Sequence, residues 1–348
     1  MMLTVSTPLK YACSFLFLLS AGAAFAADSG YSFQDHPGEY LDVLRDGKIV
    51  ARYMDAYDKS KPERRLETYK PFLHVFDPEG KAPITKGAGG DFTHHRGIFL
   101  GWNKIGVNGK TYDRWHMIKG EQVHEKFLAQ TAGKDRASFT SLVKWTGEGD
   151  EPAIIEDERT FAFLPSPTPA YETIDVVSKM KALAGETKLD GDPEHSGLQF
   201  RPANEVDRKL TTYLFPQENA NPHKDHDYPW MGETYTIDGK KYSVVYLNDP
   251  ANPTGGFISA YRDYGRFGIF WRTTIPAGGT QVFHIRFLVA QGDMLPVETI
   301  QKAWNEFAGR NDPAPKTTVR PAEYGNSPDS KAKGDKKPAA PAAEPAAK

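Results

Sequence analysis

The chain has 348 residues, 39% of them hydrophobic and 25% charged, with a formal net charge of −2. Such a composition can bury a core and excludes a chain disordered throughout. The absence of a basic surplus argues against a nucleic-acid partner, whose phosphates are held largely by lysine and arginine.

Residues 1–26 read as a secretory signal: Lys10, then the apolar run Cys13–Leu19, then the small-x-small site Ala24-Phe25-Ala26. That run is too short for a transmembrane helix, which needs about 20 residues. No later run is long enough either, so the expected mature protein does not span a membrane and is secreted to a bacterial periplasm. Cys13 is the only cysteine. Cleavage would therefore leave no disulfide, no thiolate nucleophile and no Cys-ligated metal.

Strand and turn signals then follow in order. Tyr40–Arg45 and Lys48–Met54 flank Asp46-Gly47, a hairpin pattern, and Asn108-Gly109 and Asp238-Gly239 mark two further tight turns. Apolar or alternating runs lie at Pro71–Phe76, Gly97–Trp102, Ser138–Trp145, Thr160–Leu164 and Ile174–Met180. Others lie at Leu198–Arg201, Tyr242–Leu247, Gly256–Tyr261, Phe267–Trp271 and Val282–Ala290. They are rich in β-branched and aromatic residues, which suit a pleated surface. Pro296–Phe307 reads as a helix, with proline in the first turn and Val297, Ile300, Trp304 and Phe307 on one face. From Asn311 the chain becomes rich in proline, alanine and lysine, which predicts a disordered tail over 311–348. The expectation is all-β: a large, mostly antiparallel β-sandwich over residues 27–310 as a single domain, with that C-terminal helix against the outside of the sheets.

Three polar clusters could carry chemistry. The first, Asp91-Phe-Thr-His94-His95-Arg96-Gly97, follows the glycine-rich Gly87–Gly90. On a regular strand His94 and Arg96 share one face and His95 takes the other. The two histidines could then ligate one metal only if the backbone were irregular. The second, Glu194-His195-Ser-Gly197-Leu198-Gln199-Phe200-Arg201, places His195, Gly197, Gln199 and Arg201 opposite Leu198 and Phe200. The third, His223, Asp225, His226 and Asp227, could hold a divalent cation such as zinc or calcium, although surface loops are commonly rich in these residues. Asn248 and Asp249 open a turn-rich loop that leads to Arg262, and Trp102, Trp115 and Trp230 stand beside polar segments. Aromatic faces stack on sugar rings, and arginine and glutamine bond hydroxyls and carboxylates. No phosphate loop, GxGxxG, GxSxG or HExxH pattern is present.

The blocks DFTHHRGIFLGW (91–102), NGKTYDRW (108–115), SGLQFR (196–201), PWMGETYTIDGKKYSVVYLNDPANP (229–253) and YRDYGRFG (261–268) resemble a family of exported bacterial proteins of undetermined activity that often carries the label methane oxygenase PmoA. The family's usual Asp-His-x-His-His opening stands here as Asp91-Phe92-Thr93-His94-His95, one histidine short. The methane label implies a multi-span membrane subunit, which a chain without a spanning segment does not fit. The resemblance implies a supersandwich similar to galactose-mutarotase-like proteins, and a carbohydrate ligand.

The expected activity is therefore that of a nucleotide-independent enzyme on a sugar, glycoside or oxidised sugar, of epimerase, lyase or hydrolase type. His94 or His95 would act as base, Arg96 and Arg201 as charge stabilisers, and His195 or Glu194 as partner acid. Trp102, Trp115, His116, Gln199, Trp230, Asn248, Asp249 and Arg262 would contact substrate. No cofactor is required by this reading. A non-catalytic carbohydrate-binding or envelope protein would use the same groove without a matched acid–base pair. A metal-dependent oxygenase would instead bring three histidines or carboxylates to one point.

Overall fold

The computed structural model describes residues 29–323 with the exception of Pro193. The expected signal at 1–26 and the tail beyond Glu323 lie outside these residues. The architecture is all-β. One eight-stranded sheet runs in the order Tyr31–His36, Tyr40–Arg45, Lys48–Met54, Phe72–Val75, Ile98–Trp102, Ser196–Phe200, Phe267–Phe270, Phe257–Ser259. A nine-stranded sheet runs Thr318–Pro321, Thr212–Phe215, Trp230–Ile237, Lys240–Asn248, Thr280–Gln291, Glu172–Ala182, Ile155–Leu164, Ala137–Trp145, Gln122–Ala132. A small sheet of Thr273–Ile275, Thr187–Asp190, Lys104–Val107 and Lys110–Tyr112 completes it. Pairings between these strands are antiparallel, and the register shifts twice where Gln122–Ala132 meets its neighbour.

Alternation explains the layering. Ile98, Leu100, Trp102, Leu198 and Phe200 point between the two large sheets and join one core with Phe139, Phe161, Phe283 and Phe287 from the nine-stranded sheet. Trp102 packs with its ring 5.2 Å from Phe283 and 6.0 Å from Trp145. It is fully buried, so the expected substrate contact becomes a core residue. The alternate residues of these strands point outward, but into a second layer of loops rather than into water: Phe99 packs on Phe72 and Trp115.

The three expected tight turns form as the backbone requires, with positive φ at Asp46, Asn108 and Asp238 and at the glycine after each. The C-terminal helix spans Val297–Ala308 and packs Ile300, Ala303 and Trp304 on Leu214, Trp230, Val245, Leu247 and Leu288 of the nine-stranded sheet. Two features differ from expectation. A short helix, Pro62–Thr68, carries no apolar stripe long enough to announce it and begins on its proline. The expected disorder from Asn311 does not hold at Thr318–Pro321, which pairs with Thr212–Phe215 because that strand offers an open ladder edge. No helix of the described residues is long and apolar enough to cross a membrane.

Candidate metal centre

The site lies on the outer face of the eight-stranded sheet, where three loops meet. The first carries His94. Phe92 takes a positive φ of 53° and the His95 N–H donates to the Phe92 carbonyl at 2.8 Å, so the segment is a turn, not the start of a strand. Face alternation therefore fails here, and both rings turn toward the same layer, 4.4 Å apart between centroids. The second loop, Asp113–His116, lies flat on the sheet because Gly101 is beneath it. A Cβ there would stand 2.4 Å from the Arg114 carbonyl oxygen. The third loop, Asp192–His195, leads into Ser196–Phe200. At Gly197, φ is +79° and a Cβ would meet the Ile269 carbonyl, so the glycine that interrupts the polar stripe is a backbone requirement.

His94, His116 and His195 each offer a ring nitrogen, and these three nitrogens lie within 4.8 Å of one another. Two of the rings are set by the same device. Asp113 Oδ1 accepts the backbone N–H groups of Trp115 (2.9 Å) and His116 (2.7 Å), while its Oδ2 meets His116 Nδ1 at 2.8 Å. Asp192 Oδ1 accepts the Glu194 N–H at 3.1 Å and meets His195 Nδ1 at 2.5 Å. A carboxylate on Nδ1 keeps the proton there and leaves the Nε2 lone pair free. His94 Nε2 is buried and has no hydrogen-bond partner.

Burial favours the neutral form of two of the rings, His94 and His195. Burial first, then the neighbouring His116 ring and the Lys70 ammonium, push His94 far below the ordinary imidazole range. Burial also lowers His195, against the pull of Asp192. Burial would raise Asp113 and Asp192, yet the bonds from His116 and His195 outweigh it and hold both below the usual carboxylate range. Imidazoles of which two are oriented by carboxylates, with one unsatisfied nitrogen among the three, could serve as the three protein ligands of a zinc-type site. The lowering of His94 makes it a weak base, which counts against it as the proton acceptor.

Around this centre, Trp115 is fully buried with its ring 5.9 Å from that of His195. The Glu194 carboxylate accepts from Tyr261 Oη at 3.2 Å and is paired with Arg262, while Arg266 bonds its backbone carbonyl. His195, His116 and Trp115 are thus brought together with His94, while Glu194 and Arg262 pair with each other beside His195.

The other expected residues are placed elsewhere. His95 is 2% exposed, stacked on Phe92 and pushed well below the usual imidazole range by burial, then by His94. Arg96 and Arg201 are not free charge stabilisers. Arg96 donates to the His95 and Leu66 carbonyls at 2.8 and 2.6 Å. Arg201 donates to the Pro202 carbonyl at 2.7 Å and also to that of Tyr264. Gln199 is buried on the expected face but donates to the Ser196 carbonyl at 3.1 Å. Trp230 is bonded to Gln301 of the C-terminal helix, Asn248 receives the Trp304 indole N–H through its carbonyl, and Asp249 meets His284 Nδ1 at 2.8 Å. Trp230 and Asn248 belong to the opposite sheet, and Asp249 to the loop that follows Asn248. The third cluster does not converge: His223 pairs with Glu323, Asp225 with Tyr228 and Gln217, His226 stacks on Phe257, and Asp227 caps Gly255 and Gly256. Each of these groups is occupied by a different partner.

Reading the sequence for single residues missed Asp113 and Asp192. Their signal was present: Asp-x-x-His occurs at 113–116 and again at 192–195.

The profile of a family described as "Family of unknown function (DUF6807)" matches residues 40–305. No curated protein matches the sequence. Among solved structures, the Slr1438 protein of Synechocystis sp. PCC 6803 aligns at 10% identity and a TM-score of 0.38, covering 81% of this chain and 100% of that one. A galactose mutarotase-like protein of Clostridium acetobutylicum aligns at 8% identity and a TM-score of 0.35, covering 75% and 98%. A beta-arabinopyranosidase aligns at 10% identity and a TM-score of 0.26, covering 75% and 38%.

Proposed function

The chain belongs to the family of unknown function DUF6807, and from the geometry of its histidine centre we propose that it is a metal-dependent enzyme acting on a sugar, glycoside or oxidised sugar. The observation that carries this reading is the convergence of His94, His116 and His195 from three loops, two of them with Nδ1 anchored on a carboxylate. The carbohydrate class is supported by the sequence blocks that resemble the exported family. A periplasmic setting is supported by the signal-like residues 1–26 and the lack of cysteine after Cys13.

A divalent ion held by these imidazoles would supply Lewis-acid polarisation of a sugar oxygen. The protein's own groups do the rest. Asp113 and Asp192 hold the rings in one tautomer and one orientation. Buried Trp115 closes the floor of the site against water. In this reading Glu194, one residue before His195 and held by Tyr261 and Arg262, is the group assigned to take or return a proton. Its ion pair with Arg262 fixes the carboxylate direction, and Arg266 fixes the backbone that bears it.

The test combines metal analysis of the purified protein with a panel of sugars, keto-sugars and uronates, read by thermal shift and product analysis. The expected result is one divalent ion per chain, a stabilising sugar, and turnover lost on chelation and regained on adding metal back. Full turnover in chelated, metal-free protein would refute the metal assignment. Metal binding without any sugar response would refute the substrate class.

A further inference from the structure

Two of the three ligand loops are held by a single buried ammonium. Lys70 is 1% exposed, and its Nζ donates to the His94 carbonyl at 3.0 Å and to the Trp115 carbonyl at 2.6 Å. It also lies over the rings of Phe99 and Tyr69, 5.0 and 5.6 Å from their centroids. The Trp115 carbonyl belongs to the peptide whose N–H, on His116, donates to Asp113. One peptide plane therefore lies between the lysine and the carboxylate that orients the ligand, and such chains of bonds polarise one another.

Neighbouring residues of the same segment act on the same two loops. Tyr69 Oη donates to the Thr93 carbonyl at 3.2 Å, and Arg65 donates to the Met117 carbonyl at 3.0 Å. In return Arg96 reaches from the His94 loop to the Leu66 carbonyl. The carbonyls flanking His94 and His116 are thus captured from the helix Pro62–Thr68 and the two residues after it. Among the described residues no backbone hydrogen bond joins the two loops directly. Burying an ammonium without a carboxylate is unfavourable unless its donors are used. Here they reach both loops from one atom, where no backbone hydrogen bond of the described residues joins the two.

We propose that Lys70 is a positioning residue that sets the separation of His94 and His116, and so the metal affinity of the centre. This rests on the metal reading above. The experiment compares the intact protein with Lys70→Met, which keeps an unbranched side chain of similar length without donors. Zinc affinity is measured by competition with a chromophoric chelator, and cobalt(II) is added as a spectroscopic probe of ligand geometry. The expected result is a loss of about 10–100-fold in affinity, the range typical of groups that orient metal ligands, together with a changed cobalt visible spectrum. A variant that weakens the fold elsewhere, Ala303→Gly on the buried face of the C-terminal helix, should keep the wild-type spectrum. If Lys70→Met does not fold, Lys70→Gln, which can reach only one carbonyl, is measured in its place. Wild-type affinity and spectrum in the folded Lys70 variant would overturn the positioning role alone. A wild-type protein that binds neither zinc nor cobalt would overturn the metal reading and this inference together.

Discussion

Replacing Asp113 with asparagine is the sharpest probe of the centre, because the structure dictates which way the new amide must face. Asp113 Oδ1 receives two backbone N–H groups, from Trp115 at 2.9 Å and His116 at 2.7 Å. In Asp113→Asn those two donors hold the amide oxygen, leaving the NH2 group against His116 Nδ1, now 2.8 Å from the carboxylate. Two donors cannot share that contact, so the His116 proton must move to Nε2, the nitrogen needed for ligation. A hydrogen bond to a charged group contributes about 1.5–3 kcal/mol, which corresponds to a loss of about 10–100-fold in zinc affinity. With the Asp113 side chain only 18% exposed, screening is slight and the upper part of that range is expected. Asp192→Asn is the control. Its side chain is 39% exposed, and Oδ1 meets both the Glu194 N–H and His195 Nδ1. The amide oxygen can keep both contacts while Asn103, now donating to Oδ2 at 2.7 Å, turns its own amide around and gives up only the long 3.3 Å bond its oxygen accepts from the residue 192 N–H. A loss of no more than about tenfold is expected there. Chelator competition at pH 7, with circular dichroism to confirm folding, measures both variants. Equal affinity in Asp113→Asn and wild type, or a larger loss in Asp192→Asn, would refute the tautomer argument.

Three further outcomes follow from the same structure. Trp102→Ala should cost about 3–5 kcal/mol in chemical denaturation, as large truncations in a core do, and leave the zinc affinity of the folded protein unchanged; a changed affinity would return Trp102 to the site. Gly101→Ala must move the Asp113–His116 turn off the sheet; a stability loss of about 1–3 kcal/mol with weaker zinc binding is expected, and unchanged values in both would show the turn to be free of the strand. Burial, then the Arg52 and Arg96 charges, lower His74 from 6.5 to about 4. The unfolded chain therefore takes up a proton that the folded chain refuses as pH falls below 6.5, so this contribution is full above that pH and declines by about 3 kcal/mol toward pH 4. Urea midpoints of wild type and His74→Phe at pH 7 and pH 4.5 should move apart by wild-type loss, and parallel midpoints would contradict it.

Much of the fold was legible because the signals were local. The Asp46-Gly47 turn specifies its flanking strands Tyr40–Arg45 and Lys48–Met54 to the residue, and period two correctly separates Gln199 and Arg201 from Leu198 and Phe200. What period two cannot say is whether the outward face meets water or a second layer. Here loops cover it, and the arginines that looked poised for substrate are spent on backbone carbonyls. His94, His116 and His195 could each be named from residue type, yet their convergence depends on the positive φ at Phe92 and on Gly101 admitting a loop from another part of the chain. Lys70 was invisible for the same reason: its two acceptors lie 24 and 45 positions away in sequence.

The two margins of the nine-stranded sheet bear on how such a protein stays soluble at high local concentration. An exposed ladder edge recruits further strands from other molecules unless something spoils it. On one side the edge strand Gln122–Ala132 is twice thrown out of register, between His124 and Lys126 and between Phe127 and Ala129, so an incoming strand would find no continuous row of donors and acceptors. On the other, Thr318–Pro321 offers four residues and ends on a proline, which has no N–H to give. Both edges of a sheet this wide thereby resist the addition of a strand from another copy, and Thr318–Pro321 acts as a stopper on one of them.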